Sequence, residues 1–198
     1  MTTYQNILFI KSAAEADQFV VDSGREIAFA GRSNAGKSSA INAITARAAL
    51  ARVSRTPGRT QLINFFELAP DRRLVDLPGY GFAKVPDSVR RHWLALMEHY
   101  FNVRESLFGL MLIVDSRRGL APQDAGMLEW ILARGREAHV LLTKSDKLNH
   151  SEGAKVLRET RAACSDTAVT SQLFSARAKV GLAQAREVME RWLHGNGA

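Results

Sequence analysis

Cysteine is nearly absent from this 198-residue chain, where Cys164 stands alone. A lone thiol excludes an internal disulfide framework and a cysteine-built metal cluster, and it fits a reducing compartment. We read it as a packed thiol rather than a nucleophile. Long hydrophobic runs are lacking too. The longest, residues 107–114, is interrupted by Gly109 and far too short to cross a bilayer, and no basic segment followed by a long apolar stretch opens the chain. A soluble, cytoplasmic, monomeric protein without membrane contact is expected. No break in composition, repeat or linker divides the sequence, so one domain over residues 1–198 is expected, with 1–22 an N-terminal extension and 195–198 a frayed tail. Acidic residues are in deficit, 20 against 27 Lys and Arg, which leaves a formal net charge of +7 and a pI near 10.0. An excess of that size points to a nucleic-acid partner. The arginines are scattered (Arg52, Arg55 and Arg59; Arg72 and Arg73; Arg90 and Arg91; Arg117 and Arg118), with no polybasic tail and no aromatic RNA-recognition motif. Contact through shape and backbone phosphates is what that pattern allows.

What is present is a core-forming share of hydrophobic residues, 46%, and one dense motif, Gly31-Arg32-Ser33-Asn34-Ala35-Gly36-Lys37-Ser38. Two glycines, a lysine and a hydroxyl at this spacing form a phosphate-binding loop when a strand precedes and a helix follows. The apolar run 26–30 supplies the strand, and residues 39–47 have helical spacing. Gly31 and Gly36 let successive amide hydrogens turn inward toward a phosphate, and the helix start adds positive potential. Lys37 offers a mobile cation to the outer phosphates, and Ser38 a hydroxyl to the accompanying magnesium.

Around this motif the chain reads as a possible edge strand at 6–10, a helical patch at 13–19, an arginine-rich exposed loop at 51–60, and a hairpin of strands 61–68 and 73–77 turning at Pro70-Asp71. A helix at 88–104 follows, with Trp93, Leu94, Met97 and Phe101 on one side; then strands at 107–115, 139–142 and 168–174 alternate with helices at 122–134, 151–163 and 182–193. Such alternation calls for an α/β three-layer fold: a mostly parallel six-stranded sheet with one antiparallel strand and helices on both faces. Ligands of such sheets lie across the C-terminal strand ends, where this sequence places its specific polar groups. In Asp76-Leu77-Pro78-Gly79, the carboxylate can hold magnesium through a water and the Gly79 amide can sense a terminal phosphate. In Thr143-Lys144-Ser145-Asp146, Asp146 can accept two hydrogens from the guanine edge, at about 1.5–3 kcal/mol for each charge-assisted bond, while Lys144 lies along the ring and braces the phosphate loop. Phe174-Ser175-Ala176 can offer a backbone amide to the guanine oxygen. A P-loop phosphotransferase and an RNA-binding scaffold with a vestigial nucleotide site remain alternatives.

The ordered set resembles the translation-factor-related P-loop GTPases. With Thr56-Pro57-Gly58-Arg59-Thr60-Gln61 and Asp76-Leu77-Pro78-Gly79-Tyr80-Gly81-Phe82-Ala83-Lys84 it is similar to the EngB family of bacterial ribosome-assembly GTPases, over residues 6–193. Ala35 and Ala40 depart from that pattern, where larger aliphatic residues are expected. The resemblance implies a GTP/GDP switch acting on the large ribosomal subunit precursor, with its RNA and proteins, and needed for normal cell division and septation. It also implies that Thr60 joins Ser38 and, through water, Asp76 at magnesium, with Thr56 the competing candidate, and that Gly58, Arg59, Thr60, Gln61 and Leu62 close over the nucleotide. Lys37, Thr60 and Gly79 are the catalytic candidates. Tyr80 stands where familiar small GTPases carry a water-positioning glutamine, so slow intrinsic turnover is expected. In related GTPases an asparagine at the position of Asn34 helps hold a potassium ion.

Overall fold

In the computed structural model the described residues are 4, 6–48, 50–51, 62–81, 86–165 and 167–194. Their strands form one sheet in the order β1 (Leu8–Ala13), β3 (Ile63–Ala69), β4 (Arg72–Asp76), β2 (Arg25–Gly31), β5 (Leu107–Asp115), β6 (Glu137–Thr143) and β7 (Val169–Leu173). The sheet has seven strands where six were expected, because the possible edge strand is real and longer, pairing antiparallel with β3 from Leu8 to Ala13. Only β3 runs against the others: it is antiparallel to both β1 and β4, and the remaining pairs are parallel. The expected helical patch at 13–19 is instead a strand end followed by a single helical turn at Ala16–Gln18.

Both faces of the central strands β2, β5 and β6 are buried, which is why they read as near-continuous apolar runs. Alternate residues serve opposite cores. Ala28, Ala30, Leu110, Leu112, Val140 and Leu142 face a core shared with α2 (Asp87–Val103), α3 (Pro122–Leu132) and α4 (His150–Ala163). Ile27, Phe29, Met111, Ile113 and Leu141 face a second core with α1 (Lys37–Thr45) and α5 (Leu182–His194). Cys164 is buried in the first core, and burial pushes its thiol pKa up. On α2 the buried stripe is Leu96, Met97, Tyr100 and Phe101; Leu94, placed on that stripe by spacing, is 41% exposed, and Trp93 is half-buried. The helical period carries the apolar face along the 96/97/100/101 positions, leaving 94 on the outer side.

The end of the sheet where β2 begins is closed by a charged cluster. The fully buried Glu26 accepts from Arg73 Nε at 2.8 Å, from Arg104 Nη2 at 2.6 Å and Nε at 3.0 Å, and from the Tyr100 hydroxyl at 3.3 Å. The same arginines donate to backbone carbonyls of Val20, Val21 and Ser23, and Asp22 accepts from the amides of Glu105 and Ser106, both at 2.9 Å. A carboxylate taken out of water is tolerable only when its lone pairs are met in this way.

Candidate functional site

The opposite end of the sheet gathers the polar motifs. β2 ends at Gly31, where a Cβ would lie 2.7 Å from the Ile113 carbonyl oxygen, so only glycine lets β2 and β5 stay paired at this point. Gly36, at φ 101, turns the chain into α1. Between them Asn34 adopts φ 63, a left-handed conformation that asparagine tolerates better than most residues. Ser33 donates its amide to Tyr80 O at 2.8 Å, and Arg32 bridges to Tyr80, so the segment after β4 runs alongside the loop. That lineup brings Gly79 against it: a Cβ at Gly79 would come within 3.6 Å of the Gly31 and Ser33 backbone. Lys37, the first residue of α1, forms an ion pair with Asp76 at the end of β4.

Two further strand ends lock the loop from the other side. Thr143, buried at the end of β6, has its hydroxyl within hydrogen-bond reach of the Ala35 and Val114 carbonyls. Lys144, held at φ 58, donates Nζ to Asn34 O at 2.7 Å and to Asp115 Oδ2 at 2.9 Å. Asp115 also accepts from Arg117 Nε at 2.9 Å and Nη2 at 2.6 Å. Burial opposes ionisation of Asp115, but the hydrogen bonds from Arg117 and Lys144 outweigh it and hold the carboxyl well below the usual range.

Asp146 follows in a helical turn, Ser145–Lys147, and its Oδ1 accepts from Ser175 Oγ at 2.6 Å. That hydrogen bond lowers its pKa, so the carboxylate is an acceptor at neutral pH. Phe174 is buried after β7, and its amide donates to Leu142 O at 2.9 Å; the Ser175 amide is likewise taken, by Val180 O at 3.0 Å. The same residues, with Gly36, Ser39, Lys147, Ala176 and Arg177, line a cleft of about 430 Å³ running from the phosphate loop to Asp146. Its volume is that of a small-ligand site.

The structure thus brings Gly31–Ser38, Asp76–Gly79, Thr143–Asp146 and Phe174–Ala176 to one edge. Leu62 stands just before β3 and is 37% exposed, whereas Thr56 and Gly58, Arg59, Thr60 and Gln61 lie outside the described residues, as do Phe82, Ala83 and Lys84. Sequence reasoning does not single out two participants, Asp115 and Asp124. Asp115 anchors Lys144; a carboxylate closing an otherwise apolar strand was its visible signal. Tyr80 does not face the cleft: it is 5% exposed, packs on Trp93, and donates its hydroxyl to Asp124 Oδ1 at 2.6 Å. Asp124 is itself buried in the first turn of α3, where its other oxygen takes the Ala121 amide at 2.8 Å. Burial raises the pKa of Asp124 and, more strongly, that of Tyr80, so the phenol stays protonated and donating.

The family described as 50S ribosome-binding GTPase matches residues 26–144. A protein of Aromatoleum aromaticum named probable GTP-binding protein EngB is 50% identical over 195 residues, covering 98% of this chain and 90% of that protein. Its namesake in Thiobacillus denitrificans is 53% identical over 169 residues, 85% of this chain and 82% of that one. The chain belongs to the EngB family of GTP-binding proteins. Membership makes it a GTP-hydrolysing enzyme of the ribosome-binding class. Among solved structures, a probable EngB protein superposes with a TM-score of 0.65 at 23% identity, over 85% of this chain and 98% of that chain. Era from Aquifex aeolicus gives 0.66 at 16%, over 89% and 58% respectively. At those identities the likeness is one of fold, and it is the P-loop GTPase fold. Among the described residues no helix is long and apolar enough to cross a membrane.

Proposed function

We propose that this EngB-family protein is a cytoplasmic GTP/GDP switch with slow intrinsic hydrolysis that acts on the maturing large ribosomal subunit, and that cell division and septation depend on it through ribosome supply. The observation that carries the reading is the continuous cleft from the phosphate loop to Asp146, with an ionised carboxylate at its base-binding end. A guanine presents that carboxylate with two N–H donors; an adenine does not.

The donors fit magnesium. Ser38 and Asp76, hard oxygen donors beside Lys37, would hold it, Asp76 through water, with Thr60 the third candidate, and no group of three or more His, Cys, Asp or Glu side chains competes for a metal among the described residues. Magnesium bound there would neutralise charge on the outer phosphates. This chain's own residues bind and orient: the start of α1 offers its positive end to the phosphates, Lys37 moves from Asp76 to a phosphate oxygen, and Lys144 fixes the loop through Asn34 O. Tyr80 spends its hydroxyl on Asp124 and is turned into the core, so it does not position water; that supports slow turnover unless the ribosomal particle supplies the missing group. Asn34 is exposed within the loop, and its side-chain oxygen would help hold a potassium ion.

The test is the affinity of the purified protein for large-subunit particles in GDP and in a non-hydrolysable GTP analogue, at one stated salt concentration. Tighter binding with the analogue, lost in Thr60→Ala, is expected. Equal binding in both nucleotides refutes the switch. An unchanged GTPase rate on exchanging potassium for sodium refutes the potassium role.

A further inference from the structure

Basic residues at the two ends of the sheet have different surroundings. Where the strands begin, Arg73 and Arg104 are held by Glu26, Arg134 and Arg136 by Glu105, and Arg191 by Glu137, while Arg25 donates to Trp192 O at 3.1 Å and lies over the Phe108 ring, and Arg72 forms no ion pair with a described residue. Where the strands end, Arg32 in the phosphate loop, Arg118 in the turn after β5, and Arg177 and Lys179 in the turn after β7 form no ion pair with any described residue. Arg32 and Arg177 feel Asp124 and Asp146 only at longer range. The carboxylates at this end are already engaged: Asp76 by Lys37, Asp115 by Arg117 and Lys144, Asp146 by Ser175, and Asp124 by Tyr80. Four basic side chains without an ion-pair partner among the described residues therefore gather at the edge that carries the nucleotide cleft.

Beside that cleft, on the other flank of the phosphate loop, lies a second one of about 140 Å³, lined by Arg32, Arg117, Arg118 and Lys144 against Asp115 and Asp124. It has the volume of a few waters, the scale of one phosphate group. Guanidinium groups match phosphate oxygens two at a time. A protein partner would call for an apolar centre depleted of charge, and this lining is the reverse.

We propose that this rim is the surface on which the protein meets RNA, and that the cleft between Arg32 and Arg118 seats a backbone phosphate beside the bound nucleotide. The inference rests on the ribosome-directed reading above and says which face carries it out. Because Arg32 pairs with Tyr80 and its side chain lies against Gly81, a phosphate held by Arg32 bears on the segment that follows Gly79 through that residue. RNA contact and nucleotide state then act on the same few residues.

The test uses the full chain, large-subunit particles, and a short RNA duplex of arbitrary sequence, with a fluorescent GDP titrated in parallel. Arg118→Gln and Lys179→Asn, the latter chosen because Lys179 sits at φ 57, are expected to weaken binding to both RNA probes several-fold. Each should also reduce the slope of log affinity against log salt by about one, with GDP affinity unchanged. Arg158→Gln and Arg161→Gln, exposed on α4 away from the rim, are expected to change neither. The proposal is overturned if the α4 variants weaken RNA binding and the rim variants do not. It is overturned too if the rim variants weaken binding to particles but not to the naked duplex, which would make the partner an acidic protein. Failure of the unaltered chain to bind GDP would instead bring down the proposed function itself.

Discussion

The two ends of the same sheet solve opposite problems with the same residue types. At the end around Glu26, two arginines, a tyrosine and a carboxylate are buried and saturated by one another and by three backbone carbonyls. At the end around Asp76 and Asp146, arginines and lysines stand at the surface, and the carboxylates hold partners that a ligand can replace. Charge fixed in the interior contributes to holding the strand starts in register; charge left exchangeable at the strand ends is available for chemistry. The difference lies in what each partner can do next, since Lys37 can leave Asp76 for a phosphate while Arg104, 3% exposed, has nowhere to go.

The sharpest way to break the contrast is at the exchangeable end. Asp146→Asn replaces an acceptor by an amide that meets guanine N–H with N–H, and GDP affinity should fall about a hundred- to ten-thousandfold, the loss of two charge-assisted bonds. Xanthosine diphosphate, which turns an oxygen toward that position, should bind the variant better than GDP does; titration calorimetry with both nucleotides checks this. At the saturated end Glu26→Ala leaves two guanidinium groups without their buried counter-charge, and unfolding in denaturant should show a loss of about 3–5 kcal/mol. If the surviving fold binds GDP as before, the two ends are energetically separate.

Between these extremes sits Tyr80→Phe. It removes one donor from the buried Asp124, whose second oxygen keeps the Ala121 amide, and about 1–3 kcal/mol of stability should go with it. The smallest effect is a pH dependence. Asp115 has a folded pKa below its ordinary value of 3.8, so the unfolded chain takes up its proton first as pH falls. The stability it contributes is present above pH 3.8 and is lost as pH drops below that value toward the folded pKa. In Asp115→Asn that part of the acid limb should flatten, as thermal melts across a pH series would show.

The strand ends were legible before any coordinates because their chemistry is local. A glycine–lysine–serine loop, an aspartate–glycine turn and a lysine–aspartate pair each carry their constraint within a few residues. The long-range pairings were not. Nothing near Glu26 in sequence announces Arg104, 78 positions away, and an Asp124 in a helix start reads first as a cap, which it also is. Helical spacing puts Leu94 among the apolar residues of α2 because it marks an apolar arc and not its centre. The opening strand reads shorter in sequence than it is, because its exposed Leu8, Phe9 and Ile10 look like a weak edge until β3 is beside them.

That opening strand has a consequence for how the molecule behaves among its copies. Leu8 and Phe9 are 61% and 57% exposed on an outermost strand, an arrangement that invites another chain to add itself edge to edge. The pairing with β3 slips between Phe9 and Lys11, a local bulge that bends the strand, and Lys11 puts a charge in its middle. A flat, greasy border is thereby interrupted halfway along. The chain keeps its sheet finite at this side without covering it.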